Sequence, residues 1–216
     1  MLQKEWNRMN DAIRSELPHT VVGPPPEYYP LKCSTSSEIL TPLLWKSLRD
    51  VLPKRILTYC VKRLYASYED GYGLIPLLRS ILVFSLTHRN AGTEAPTLLL
   101  FQMEANRDIL IVYRDDCWQN RNDGKGSKNT LLMRFSNHHL CVWRADSEST
   151  CDSWVYIRST DDRLMVGAGG KEGVSLVVMG DLYHGSSQRS DVFRNEPLQQ
   201  TELFSIRNAE LYSFVL

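Results

Sequence analysis

No stretch of this chain is apolar and long enough to suggest a membrane-spanning helix. The longest candidate, Leu74 to Leu86, is broken by Pro76 and Arg79 and falls short of the roughly 18 residues that a span needs. The chain also has no surplus of either charge: 25 lysines and arginines balance 25 acids. That removes the usual electrostatic case for nucleic acid or an anionic membrane as the main partner. The first residues are polar and charged instead of apolar, so no secretory leader is expected. No Asn-x-Ser/Thr glycosylation site occurs. Five cysteines (Cys33, Cys60, Cys117, Cys141 and Cys151) are widely spaced and form no Cys-x-x-Cys pair. Neither a zinc ribbon nor a thioredoxin-like redox pair is indicated, and reduced thiols in a cytoplasmic protein are the economical expectation. What is present is ample apolar material, 43% of 216 residues, enough for one real core plus an appendage.

The appendage comes first. Leu2, Trp6, Met9, Ile13 and Leu17 recur at spacings of four, three, four and four, one apolar stripe on a helix, with Lys4, Glu5, Arg8, Asp11 and Arg14 on its other faces. Pro18 would end that helix. A tether follows, rich in proline (Pro24, Pro25, Pro26, Pro30) and inclined to extended polyproline geometry. The stripe either packs on its own domain or docks on a partner. The expected division is therefore residues 1–35 as helical arm and tether, and residues 36–216 as the folded domain.

Within that domain the pattern predicts helices first and strands afterwards. Ser34 to Ser37 offer capping hydroxyls before a helix at about 42–51, with Pro42 at an early helical position. Leu43, Leu44, Trp45, Leu48 and Val51 would form its buried face. A second helix is expected from Pro53 to Tyr65 and a third from Leu74 to Phe84. After Pro96 come short apolar, aromatic or β-branched runs at 97–101, 109–113, 131–135, 140–143, 153–158, 164–166, 174–179 and 204–212, separated by polar turns. This order predicts an α+β fold, an antiparallel β-sandwich flanked by helices.

Residue clusters that invite chemistry mostly fail on spacing. The glycines at 167, 169, 170 and 173 do not make a Walker loop, because Met165 stands at its first glycine position and Glu172 follows Lys171. A dinucleotide fingerprint from Gly167 would need glycine at 172. These glycines are better suited to a bulge or a close sheet contact. Asp181, His184, Ser186 and Ser187 contain the residue types of a catalytic triad, but sequence neighbours at a tight turn rarely converge properly. Short polar side chains and glycine there fit turn formation, with Gly185 expected at positive φ. His138 and His139, on opposite faces of a strand, would not share a metal. The acid pairs Glu69-Asp70, Asp115-Asp116 and Asp161-Asp162 lack calcium-loop spacing and are expected to be solvated. Tyr28 and Tyr29 suit packing or docking. Glu210 is unusual, an acid inside an apolar final strand, and its burial would require an arginine or backbone amides.

The run Gly180-Asp181-Leu182-Tyr183-His184-Gly185-Ser186-Ser187, then Asp191-Val192-Phe193, Asn195-Glu196-Pro197-Leu198 and a last strand carrying Glu210, resembles the C-terminal half of a TLDc domain. Upstream, Ser37-Glu38-Ile39-Leu40-Thr41 and Leu52-Pro53-Lys54-Arg55 resemble that family's opening segments, and Leu64-Tyr65 with Gly71 and Leu74 a further one. Ala66-Ser67 stand where the family prefers Ser-Thr, and Asp70 where it prefers His. Gly124-Lys125-Gly126 occupies the place of a glycine turn. The resemblance covers residues 36–216 and is that of a divergent member.

What it implies is a protein-binding module without catalysis or cofactor, binding the peripheral part of a vacuolar-type proton ATPase to regulate its assembly, and linked to oxidative stress resistance. Such a protein would be cytoplasmic, peripheral at an organelle membrane or within a larger assembly. A structural subunit of a ciliary or cytoskeletal assembly is the alternative. A thiol-based peroxide scavenger is disfavoured, since the cysteines lack a resolving partner. The partner-binding candidates are Leu2, Trp6, Met9, Ile13, Leu17, Tyr183, His184 and Glu210.

Overall fold

The computed structural model describes residues 37–90, 96–115, 129–145, 155–158, 163–168 and 173–215. The expected N-terminal helix and tether, Tyr28 and Tyr29, the 124–126 turn, Asp116, Asp161 and Asp162, and the glycines at 169 and 170 lie outside these residues. The domain opens with α1 (Pro42–Val51), where Thr41 is the N-cap and accepts a hydrogen bond from the Leu44 amide. Pro42 follows at a position that needs no amide partner. The cap is thus Thr41 and not the serines upstream. Leu44, Trp45 and Leu48 are buried, while Leu43 is 43% exposed and Val51 half-buried, so the buried stripe is narrower than expected. Pro53 stops the helix.

The predicted second helix is absent. A 3₁₀ turn over Lys54–Thr58 leads into strand β1 (Cys60–Ala66), which pairs antiparallel with residues 210–215. Local pattern loses here to an unfilled sheet edge, whose backbone groups need partners. A one-turn helix α2 (Ser67–Asp70) and the long helix α3 (Leu74–Asn90) follow. Helix α3 runs past the expected end at Phe84, and its buried face is Leu74, Leu77, Ile81 and Phe84. Pro76 is tolerated because it sits in the first turn.

The remaining strands are β2 (Thr97–Met103), β3 (Ile109–Arg114), β4 (Leu131–Ser136), β5 (His139–Arg144), β6 (Val155–Arg158), β7 (Arg163–Val166), β8 (Leu176–Val178), β9 (His184–Ser186) and β10 (Leu203–Val215). Their order across the sheet is β5-β4-β3-β2-β10-β9-β8-β7-β6, and β1 also pairs with β10. All the pairings are antiparallel. Strand β10 belongs to both halves: residues 203–205 pair with β9, and from Ile206 onward it pairs with β2.

The two halves pack face to face. Leu99, Phe101, Leu110, Val112 and Leu132 from one meet Leu164, Val166, Leu176 and Val178 from the other, with Leu77 and Ile81 of α3 joining them. The opposite face of the larger half carries Leu98, Leu100, Ile111 and Tyr113 and is covered by α1. This explains the unbroken apolar run Leu98 to Phe101: both faces of β2 are buried, so alternation is lost. The expected α+β sandwich with flanking helices is what forms.

Two turns differ from expectation. His138 does not share a strand with His139; Asn137 (φ 49°) and His138 (φ 67°) form the two-residue turn between β4 and β5, a left-handed pair suited to a hairpin. In the Gly180–Ser187 run the left-handed residue is Leu182 (φ 57°), whereas Gly185 lies in β9. Gly185 is needed for space: a Cβ there would sit 2.4 Å from Phe204 Cε2 and 2.9 Å from its Cζ. Gly167 combines both demands, with φ 74° and a Cβ position 2.1 Å from Ser175 Oγ, as the close-contact reading of that cluster anticipates.

Gly185→Val is accordingly expected to lower stability by about 1–3 kcal/mol through overpacking, read by urea unfolding. Phe204→Leu in the same background should recover part of the loss, and no recovery would show that crowding by Phe204 is not the cause.

Candidate functional site

The acid singled out in the last strand is the centre of a buried polar cluster. Glu210 is fully buried. Its Oε1 accepts hydrogen bonds from the Glu38 amide (2.9 Å) and the Tyr68 hydroxyl (2.7 Å), and its Oε2 from Ser37 Oγ (2.6 Å) and the Tyr212 hydroxyl (2.8 Å). A buried carboxylate stays in place only when its lone pairs are met, and here one amide and three hydroxyls meet them. The expected arginine acts at one remove: Arg63 donates to the Tyr68 hydroxyl at 2.7 Å, lies over its ring, and pairs with Glu69. Burial, then the hydrogen bond to Glu210, pushes the Tyr68 hydroxyl pKa up. Burial and the neighbouring Glu210 charge raise that of Tyr212. Both phenols therefore stay protonated and donate.

The same strand fixes what lies beside it. Asn208 donates to Glu38 (2.9 Å) and accepts from the Tyr72 hydroxyl (2.8 Å). Ser67 Oγ accepts from the Ala209 amide, and Asp70 accepts from the Ala66 amide across α2. Glu69 and Asp70 are thus structural and not merely solvated; Asp115, likewise, is buried and bonded to Asn129 at 2.6 Å. Tyr65 donates to the Gly71 carbonyl at 2.8 Å, which holds the Gly71–Gly73 loop leading into α3. The Leu74 amide, an orphan donor at the helix start, bonds to the Gly180 carbonyl at 2.9 Å.

That bond joins the loop to the Asp181–His184 turn. Asp181 Oδ1 accepts from the Tyr183 and His184 amides (2.9 and 3.0 Å), and Oδ2 contacts His184 Nδ1 at 2.5 Å. Leu182 is buried, so the turn is pinned to the core while Tyr183 and His184 face outward, ring to ring at 4.9 Å. The Tyr183 carbonyl also accepts from the Ile206 amide at 2.7 Å. Ser187 does not complete a triad: it is buried, donates to the Ser175 carbonyl and accepts from the Leu198 amide. Asn195 clamps the next loop, donating to the carbonyls of Gln188 and Glu196 and accepting from Ser175.

The outcome is a firmly held display of apolar surface. Tyr72 is 59% exposed, Ile75 72% and Tyr183 45%, and all three flank the junction between the Gly71–Gly73 loop and the Asp181–His184 turn. The sequence pointed to Tyr183, His184 and Glu210, and the structure separates their parts: the first two are displayed, while Glu210 is buried and holds the scaffold. Tyr72 and Ile75 carried no sequence signal, because which side of a helix start faces out depends on packing. The stripe from Leu2 to Leu17 lies outside the described residues. Among the described residues no group of three His, Cys, Asp or Glu side chains is placed to hold a metal, and no helix is long and apolar enough to cross a membrane.

A family model for the TLDc domain matches residues 33–215. Oxidation resistance protein 1 of Rattus norvegicus is 26% identical over 190 residues, covering 88% of this chain and 21% of the relative. The Homo sapiens protein of that name is 26% identical over 182 residues, 84% of this chain and 19% of the relative. Nuclear receptor coactivator 7 of Homo sapiens is 26% identical over 163 residues, 76% of this chain and 16% of the relative. The chain spans about a fifth of the length of the curated relatives it matches.

Two outcomes follow from the cluster and the turn. Glu210→Ala leaves three hydroxyls and an amide without their acceptor and should cost about 3 kcal/mol in urea unfolding, with Glu210→Gln losing less; equal losses would refute the hydrogen-bond account. At Asp181, partial burial works to raise the carboxyl pKa, but the amides and ring of His184 and the Tyr183 amide outweigh it and hold it below 3.8. Its folded-state pKa being depressed, its contribution is present above 3.8 and fades as pH falls through the lower folded value. The stability gap between the wild type and Asp181→Asn should therefore narrow on acidification below that point. A gap independent of pH would show that the carboxylate charge is not what holds the turn.

Proposed function

The chain belongs to the TLDc domain family, and on that premise we propose that it is a non-catalytic module that binds a protein partner through the Tyr72–Ile75–Tyr183 surface. The partner is the peripheral sector of a vacuolar-type proton ATPase, whose assembly the chain regulates, in the setting of oxidative stress resistance; the name oxidation resistance protein 1, which some of its relatives carry, supports that setting. In this role it acts in the cytoplasm, peripheral at an organelle membrane. The observation that carries the reading is the display itself. Two aromatic rings and an isoleucine are held outward by hydrogen bonds from β10 and from the Gly180 carbonyl. Aromatic residues anchored on a rigid base lose little freedom on binding and supply much of an interface's energy. The groups nearby that resemble catalytic ones are committed to structure: Asp181 and His184 to the turn, Ser187 to buried backbone contacts.

The same geometry weighs against a peroxide scavenger built on the described cysteines. Cys60 and Cys141 are both exposed, but they stand on β1 and β5, at opposite edges of the larger half of the sandwich. Five strand spacings of roughly 4.8 Å separate them, far beyond disulfide reach.

Capture of the purified peripheral ATPase sector by the tagged full chain is expected to weaken about tenfold for Tyr183→Ala or Ile75→Ser, with the melting temperature unchanged because both side chains are exposed. Undiminished capture would remove this surface from the proposal. Recovery of tubulin-associated proteins with no ATPase subunit would remove the named partner. The chain should also show no catalytic turnover of hydrogen peroxide; turnover abolished by a single Cys→Ser change would refute the non-catalytic reading.

A further inference from the structure

A second apolar surface lies on the other side of α3. A groove of about 500 Å³ runs between α3 and the edge made by β1 and the end of β10, with Leu64, Val83, Phe84 and Val215 as its apolar lining and Lys62 and Arg79 on its rim. Phe84 forms a small cluster with the half-buried Leu64 and Val215, Leu64 also packs against the core between the two halves, and Val83 is 60% exposed. The domain thus leaves this apolar wall only partly covered. The volume suits an indole and a few aliphatic side chains.

We propose that the N-terminal segment of this same chain, residues 2–17, covers the groove, inserting the stripe Leu2, Trp6, Met9, Ile13 and Leu17. A helix of that length is marginal in water and needs a surface for its apolar side. Charge fits as well as shape. At about 100° per residue, Glu5 and Glu16 fall on one shoulder of the stripe and Arg14 on the other, so the acidic flank faces one of the two banks, each of which carries a basic residue, Arg79 on α3 and Lys62 on β1. Among the described residues Lys62 and Arg79 have no carboxylate partner.

The tether reaches. Residue 37 is fixed to Glu210 through its hydroxyl, and Glu210 lies five residues before Val215 on β10, about 17 Å along the strand. Residues 18–36, extended at about 3.1 Å each, span about 60 Å. Strand β1 pairs with β10 alone, so the path around the sheet edge crosses no further strand.

The test is amide hydrogen exchange of residues 2–17 in the full chain. Exchange is expected to be at least about tenfold slower than in Val83→Glu, a change on an exposed position, and independent of protein concentration over about a hundredfold range. The charge pattern supplies a control that does not depend on tolerance of Val83→Glu. Lys62→Glu with Arg79→Glu should lose the protection, Glu5→Lys with Glu16→Lys should lose it too, and the four changes together should regain it. Tyr183→Ala and Ile75→Ser should leave it intact, so this inference and the partner-binding surface fail independently. Absence of protection in the wild-type chain, or protection untouched by every groove change, overturns the proposal. Protection that grows with concentration together with a dimer assigns the groove to a second copy and overturns it as well.

Discussion

Strand β10 is shared by both halves of the sandwich, and the structure depends on its being held at the point where it passes from one to the other. It is thirteen residues long. Its first residues pair with β9, and its pairing register with β2 shifts between Ile206 and Asn208. A strand crossing between sheets leaves backbone groups misaligned at the bend, and those groups must be met by something other than the regular ladder. Here the Ala209 amide is met by the Ser67 hydroxyl, while side chains tie the strand to its neighbours: Asn208 to Glu38 and Tyr72, and Glu210 to Ser37, the Glu38 amide, Tyr68 and Tyr212. The cluster places a full carboxylate where an apolar side chain would pack more cheaply. What it gains is direction, since four donors from three separate segments can converge on two oxygens in few ways. Being buried, it is also little screened by salt.

The fold class was legible because it rests on local signals repeated many times. Strand periodicity, turn residues and the early helices all point to one architecture, and such agreement across levels marks a well-specified sequence. Where the reading failed, the deciding partner lay far away in the chain. Residues 60–65 read as helical because their apolar spacing is ambiguous, and they became part of a strand because residues 210–215 offered an open edge. Strand β9, His184–Ser186, carries no apolar signal and exists because β8 and β10 leave room for one more strand, with glycine fitted under Phe204. Ser37 was read as a helix cap since its hydroxyl type suits one; in the fold it does accept the Ile39 and Leu40 amides, but its proton goes to Glu210.

The candidate site divides along the same line. Glu210 stood out as an acid among apolar neighbours, and an anomaly in polarity survives into three dimensions because burying a carboxylate always demands an explanation. Tyr183 and His184 were visible as part of a turn. Tyr72 and Ile75 were not, because an exposed apolar residue at a helix start looks the same in sequence as a buried one. Ala66-Ser67 and Asp70, which depart from the family's preference, nonetheless supply working contacts: the Ser67 hydroxyl and the Asp70 carboxylate both accept backbone amides.

These observations join the two surfaces through one element. Residues 206–208 hold the Tyr72–Tyr183 display, residue 210 holds the point where the chain enters the domain, and residues 213–215 reach the groove beside α3. Helix α3 bridges them as well, since its first turn presents Ile75 beside the display and its later turns present Val83 and Phe84 to the groove. A rigid strand and a continuous helix transmit displacement poorly in themselves, because packed cores are not continuously deformable. Coupling between the surfaces therefore requires an element with two discrete arrangements. Among the described residues α3 and β10 each have one arrangement, so the display and the groove are independent surfaces on one rigid base.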